Sequence, residues 1–201
     1  MGTNYSPRIV TDSLVLCLDA KDIKSYAGSG NDWKDRTANG FDFTNEAGFS
    51  ANFNSEGYFE LDSPDGTDFG GVITNNSACT VVIWMRTTEV QALFWHGQSG
   101  SQFLGAYRGG NKEYYGDCGS PDFYMDTVEK DNIYDHIRDG KWHMVEFKNV
   151  NFANWTSNKF NNYGGYDFDD GAVGKILIYN RNLTADESAQ NFNALRGRFG
   201  I

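Results

Sequence analysis

Three kinds of side chain in this 201-residue chain have types and spacings that could do chemistry: paired carboxylates, histidines, and aromatic rings beside planar polar groups. Glu60 and Asp62 stand two apart in Glu60-Leu61-Asp62-Ser63-Pro64, the spacing that puts two residues on one face of a strand. Two carboxylates about 5–5.5 Å apart can act as nucleophile and acid in retaining glycoside hydrolysis. The next position on that face is Pro64, which has no carboxylate, and Ser63-Pro64-Asp65-Gly66 reads as a turn. His96, His136 and His143 fall in no zinc or H-E-x-x-H spacing, and no G-x-S-x-G occurs. His143 beside Trp142 reads as a strand residue, and His96 beside Trp95 as structural before functional. Oxygen ligands cluster at Asn31, Asp32 and Asp35, and again at Asp167, Asp169 and Asp170, so calcium is an alternative without assigned ligands. Gly171 stands one position too early for an EF-hand loop. Rings that could stack on a sugar face or a partner are Trp95 with His96, Tyr107 with Arg108, and Trp155, with Tyr114-Tyr115 and Tyr163 as further rings.

Strands must position most of these groups. Residues 9–20 are apolar on both alternating faces, as in a strand inside a two-layer sandwich. Residues 24–40 are rich in Gly, Asn, Asp and Ser and form a long loop, with Trp33 as the apolar pin. Thr80-Val81-Val82-Ile83-Trp84-Met85-Arg86 is the clearest central strand. Residues 92–95 and 102–107 read as a strand pair joined through Gly97–Gly100. In Lys141 to Phe147, Trp142, Met144 and Glu146 share one face, and His143, Val145 and Phe147 the other. Residues 109–140 show no sustained period and either hide short strands or form a functional loop. After the strand Gly174 to Leu183, Thr184 and Glu187 form a capping box for a helix whose face carries Ser188, Phe192 and Leu195, and Gly197 stands where it should stop.

The composition narrows the class. Fifteen Phe, eleven Tyr and 23 Gly against three Pro favour many short strands joined by turns. A net charge of −10 repels phosphate backbones and anionic lipid, which argues against nucleic acid and membrane partners. Cys17, Cys79 and Cys118 are odd in number and widely spaced, so neither a disulfide framework nor a zinc site is expected. Without a visible secretory signal, folding in a reducing cytoplasm is the expectation.

Leu14-Val15-Leu16-Cys17-Leu18-Asp19-Ala20, the loop Ser25-Tyr26 with Gly28-Ser29-Gly30, Trp33 and Asp35, then Trp84, Trp142-His143 and the closing Gly174 to Glu187 fall in an order that resembles the laminin-G-like (concanavalin A-like) domain. The form resembled is the one that recurs in structural proteins of tailed bacteriophages. The resemblance implies an all-β, two-layer antiparallel jelly-roll sandwich over residues 9–201 with a short C-terminal helix, preceded by an arm at 1–8. It further implies a virion protein without enzymatic activity, a capsid decoration or fibre component, folded in the host cytoplasm. The implied partners are other virion proteins and further copies of the chain, with no cofactor. A glycan-binding module contacting the host surface is the alternative, with Trp95, His96, Tyr107, Arg108 and Trp155 as candidate contacts. A glycoside hydrolase is a third reading: glucanases of related fold carry Glu-x-Asp-x-Glu on one strand, and here the last position is Pro64.

Overall fold

Residues 8–45, 53–62, 69–71, 77–88, 92–96, 102–106, 114–116, 118–131, 135–155, 158–160 and 170–201 are described in a computed structural model. Their strands form two antiparallel sheets. The first contains β1 (Leu14–Asp19), β4 (Phe53–Asn54), β5 (Tyr58–Asp62), β7 (Cys79–Thr87), β11 (Gly119–Met125), β12 (Val128–Lys130), β13 (His143–Val150) and β15 (Asp170–Tyr179). The second contains β2 (Asp32–Trp33), β3 (Phe43–Asn45), β6 (Phe69–Gly71), β8 (Ala92–His96), β9 (Gln102–Ala106), β10 (Tyr114–Gly116) and β14 (Asn158–Phe160).

The first sheet runs β12-β11-β13-β7-β15-β5-β4, and the second β10-β9-β8-β14-β6-β3-β2. The first half of β15 pairs with β5, Asp170 opposite Asp62, and the second half pairs with β1, Leu177 opposite Cys17. A single edge of β15 is thus completed by two strands in succession. Among the described residues the chain is all-β apart from one short helix near its end, α1 (Ala185–Leu195), followed by a 3₁₀ turn at Arg196–Arg198.

Strand alternation divides the apolar side chains between two layers. Inward from the first sheet point Phe59, Leu61, Ile83, Met85, Val145, Phe147, Val173, Ile176 and Ile178; Trp33, Phe43 and Leu104 of the second sheet close the same core. Each such fully buried side chain contributes roughly 1.5–3 kcal/mol. Outward from the first sheet point Val82, Trp84, Met144, Leu177 and Tyr179, and α1 lies over them with Phe192 and Leu195. The helix covers only part of this outer face, which is why a site can exist beside it.

Residues 24–40 are a loop, interrupted by the two-residue β2 and stitched to β1. Trp33 is fully buried, as expected of the pin. Asp35 is the second anchor: its carboxylate accepts from the backbone N–H of Cys17, Thr37 and Phe41. A carboxylate so engaged is used as a structural acceptor. Asp32 pairs with Lys34, and Asp167 and Asp169 lie outside the described residues. Among the described residues no group of three or more His, Cys, Asp or Glu is placed to hold a metal ion.

Two boundaries differ from expectation. The strand begins at Leu14 because Ser13 takes φ 60°, and Val10 instead docks its N–H on Asn191 of the helix at 2.8 Å. Thr184 and Glu187 do form the capping box, but the chain adopts left-handed geometry at Gly200 (φ 76°), not at Gly197. The 3₁₀ turn tightens the end and swings Phe199 back onto the sheet. Within residues 109–140 the described part contains β10, β11 and β12, paired to their neighbours. The three cysteines are free and buried, and burial pushes the Cys79 thiol up to about 12.

Candidate functional site

The uncovered part of the outer face carries a row of aromatic rings. Tyr58 and Glu60 point outward because Phe59 and Leu61 of β5 point into the core, and Arg86 points outward beyond Trp84 on β7 for the same reason. Trp142 enters from the residue before β13. Gly174 supplies the floor: a Cβ there would lie 2.6 Å from the Phe199 ring, so only glycine lets that ring lie flat on the sheet.

The row runs in order. Phe192 stacks on Trp84 at 5.9 Å, Trp84 on Phe199 at 4.7 Å, and both pairs are near parallel at 12°. Phe199 meets Trp142 at 4.8 Å, and Trp142 meets Tyr58 edge-on at 5.3 Å. Trp84 and Phe199 are buried, whereas Trp142 and Tyr58 are partly exposed. Buried rings therefore support the two that reach solvent, which fixes the exposed faces without an ordering cost at binding.

Charged planar groups frame these two rings. The Arg86 guanidinium lies 5.5 Å from the Tyr58 ring centroid and 5.8 Å from that of Trp142, and it reaches Glu60 Oε2 at 3.1 Å. Burial and the neighbouring Glu60 carboxylate raise the Tyr58 hydroxyl, so it stays protonated and able to donate. Beneath the row, Asp19 takes Lys175 Nζ at 2.6 Å and Arg198 Nη1 at 2.7 Å. Arg198 also donates to the carbonyl of Gly57 at 2.9 Å and lies 4.8 Å from the Phe199 ring. A pocket of about 250 Å³ opens here, lined by Tyr58, Trp142, Phe199, Arg198 and Glu56 among others.

On the far side of Trp142 a second pocket of about 320 Å³ is lined by Asp126, Lys141, His143 and Ile201, and shares Trp142, Phe199 and Gly200 with the first. His143 sits between two carboxylates, with Nδ1 at 2.6 Å from Asp126 and Nε2 at 3.0 Å from Asp139. Burial works against charging this ring, but the hydrogen bonds to Asp126 and Asp139 win and raise its pKa. A raised histidine contributes stability that is full below its unfolded pKa of about 6.5 and is lost as pH rises through the folded value. Melting temperatures followed from pH 6 to pH 9 should therefore fall more in the native chain than in His143→Gln. Equal slopes would exclude this role.

The residues expected from sequence fare differently. Trp155 is 2% exposed and packs edge-on against Phe152 at 4.8 Å, so it is a core ring and presents no face to a ligand. Trp95 and His96 lie on β8, with their backbones paired to Phe160 and Lys159 of β14; their side chains, like Tyr107, Arg108 and Tyr163, lie outside the described residues. Glu60 is bound to Arg86, and Asp62 is at the end of β5. The partly exposed members of the platform, Tyr58, Arg86 and Trp142, are contributed by segments far apart in sequence, and the sequence reads them as strand residues and not as members of one site. The signal that could have found Tyr58 and Arg86 is the outward alternation of Tyr58-Glu60 and Trp84-Arg86 read together.

Solved structures similar to this chain include toxin binding domains and sialidases. The binding domain of Paraclostridial Mosquitocidal Protein 1 matches 91% of this chain and 52% of its own, with 12% identity and a TM-score of 0.60. The botulinum neurotoxin serotype G binding domain matches 89% of this chain and 50% of its own, with 11% identity and a TM-score of 0.51. A Trypanosoma rangeli sialidase in complex with sialic acid matches 94% of this chain and 34% of its own, with 15% identity and a TM-score of 0.52. This chain thus spans about a third to a half of the chains it resembles. No protein-family model matches, and no curated protein does.

At such identities the likeness establishes the fold, a lectin-like β-sandwich. The expectation of a chain without enzymatic activity is overturned by the sialidases among these structures, because one sandwich architecture is found in enzymes and in binding domains alike. The virion and capsid expectations gain no support from these structures, which are sialidase and toxin binding domains.

Proposed function

We propose that the chain is a carbohydrate-binding β-sandwich module whose contact surface is the Tyr58–Trp142 platform. The observation that carries this reading is the pair of partly exposed rings with the Arg86 guanidinium against both and Glu60 at its side. The C–H face of a sugar ring stacks on such aromatic faces, and its hydroxyls need a donor and an acceptor at the edge. Arg86 offers the donor and Glu60 the acceptor, in a fixed orientation. The similar binding domains support a binding surface, and the sialidase in complex with sialic acid supports a glycan as what it meets.

The test is a glycan array probed with the native chain, Arg86→Ala and Tyr58→Ala. Native binding to a defined set of glycans, reduced about tenfold or more in each variant, is the expected result, because each removes one side of the framed platform. Binding that survives both substitutions unchanged would remove the platform from the account.

A further inference from the structure

The two pockets on either side of Trp142 are neighbouring parts of one groove, since Trp142, Phe199 and Gly200 wall both. At about 250 and 320 Å³ each is at or below the lower end of the roughly 300–1,000 Å³ that whole small-molecule sites occupy. Each suits a single ring, and the groove suits a linked pair or more. The first pocket offers Tyr58 and Arg198, and the second offers Lys141, Asp126 and His143, the last held also by Asp139. Hydroxyl-bearing units could thus find polar partners on both sides of the tryptophan.

The charges along this groove are largely compensated within the protein. Arg86 is paired with Glu60, Arg198 with Asp19, His143 with Asp126 and Asp139, and Lys141 with Asp139. Glu56 adds a further carboxylate at the rim, and the chain as a whole carries −10. A carboxylated or sulfated sugar would have to displace an internal acid to claim a cation, against the repulsion of the remaining carboxylates. A neutral sugar needs only hydrogen bonds, which paired ions still supply through their unused donors and acceptors.

We infer that the groove takes a neutral glycan at least two linked sugar units long, laid across Trp142 with one unit in each pocket. This rests on the carbohydrate-binding reading and deepens it by fixing the length and charge class of the ligand. Binding of a second unit next to the first is intramolecular, so each added contact raises affinity without a second association cost.

The experiment uses titrations of the native chain with two neutral series, glucose, maltose and maltotriose, and galactose with lactose, and with 3′-sialyllactose as the acidic counterpart of lactose. Backbone and indole N–H signals are followed in each titration. At least a tenfold gain from monosaccharide to disaccharide in one series is expected, with Lys141 and Ile201 signals moving only for the longer ligand. Equal affinity for monosaccharide and oligosaccharide would overturn the inference and leave carbohydrate binding standing. Tighter binding of 3′-sialyllactose than of lactose would overturn the charge class in the same way. If no glucose- or galactose-based ligand binds, and the array is blank as well, the inference falls together with the reading beneath it.

Discussion

Asp19→Ala is expected to lower the unfolding free energy by about 3–5 kcal/mol at neutral pH, the cost of leaving a buried ion without its partner. Two cations depend on this one carboxylate. Lys175 is 7% exposed at its side chain and Arg198 is 15% exposed, so neither can recover its hydration by turning outward. The contrast within the same protein is Lys34, whose pairs with Asp32 and Asp42 lie between side chains at least a third exposed; exposed pairs of that sort contribute about 0–1 kcal/mol. Asp19→Asn should cost nearly as much, because the amide keeps the shape and loses the charge. The pH dependence follows from the same geometry. Burial alone would raise the Asp19 carboxyl, but Lys175 and Arg198 outweigh it and hold the group below the ordinary carboxylate range. A lowered acid contributes stability that is full above its unfolded pKa of about 3.9 and is lost as pH falls through the folded value. Urea unfolding at pH 7 and at pH 3 should therefore separate native and Asp19→Asn strongly at the first pH and weakly at the second. A loss below 1 kcal/mol at pH 7 would show that the pair is solvated after all.

The same substitution should reach the site. Arg198 ties Asp19 to the carbonyl of Gly57 and lies against Phe199, the ring that supports Trp142. The ion pair holds the floor of the platform as well as the end of the chain.

Trp142→Ala is expected to weaken glycan binding by about thirtyfold or more, equivalent to about 2 kcal/mol, the scale of an aromatic anchor at the centre of a contact surface. Trp142 lines both pockets, is the more exposed of the two rings that do so, and touches Phe199 and Tyr58 at once. Its loss removes the saddle and the ring that meets Tyr58 edge-on, leaving Arg86 against that face. Trp142→Phe should recover part of the affinity, since a smaller ring can still rest on Phe199. Urea unfolding of both variants separates this effect from lost folding. A fully folded Trp142→Ala variant with native affinity would contradict the assignment.

Sequence patterning located the sandwich well where period and capping act locally. The run Thr80 to Arg86 is a central strand, Trp142-Met144-Glu146 does share the outer face, and Thr184 with Glu187 caps the helix. Glu146 is fully buried there, where Ser188 of α1 donates to it at 2.7 Å. The helix underside was less legible: Asn191 is buried because it bonds Val10 and Tyr179, a role no hydrophobic periodicity can reveal. The platform was hidden for a further reason. Tyr58, Arg86 and Trp142 meet only once β5, β15, β7 and β13 have found their register, and alternation alone labels outward residues as surface without saying which of them converge. Trp155 shows the ambiguity from the other side: a ring that could meet a ligand is equally suited to a sandwich core, and Phe152 and the core do enclose it.

Titrating a bound oligosaccharide into isotopically labelled native protein tests the central claim most directly. The account predicts that the largest shifts belong to the Trp142 indole N–H and to Tyr58, Arg86 and Gly174. Shifts centred on Trp95, His96, Tyr107 and Arg108, with the Trp142 indole unmoved, would contradict it.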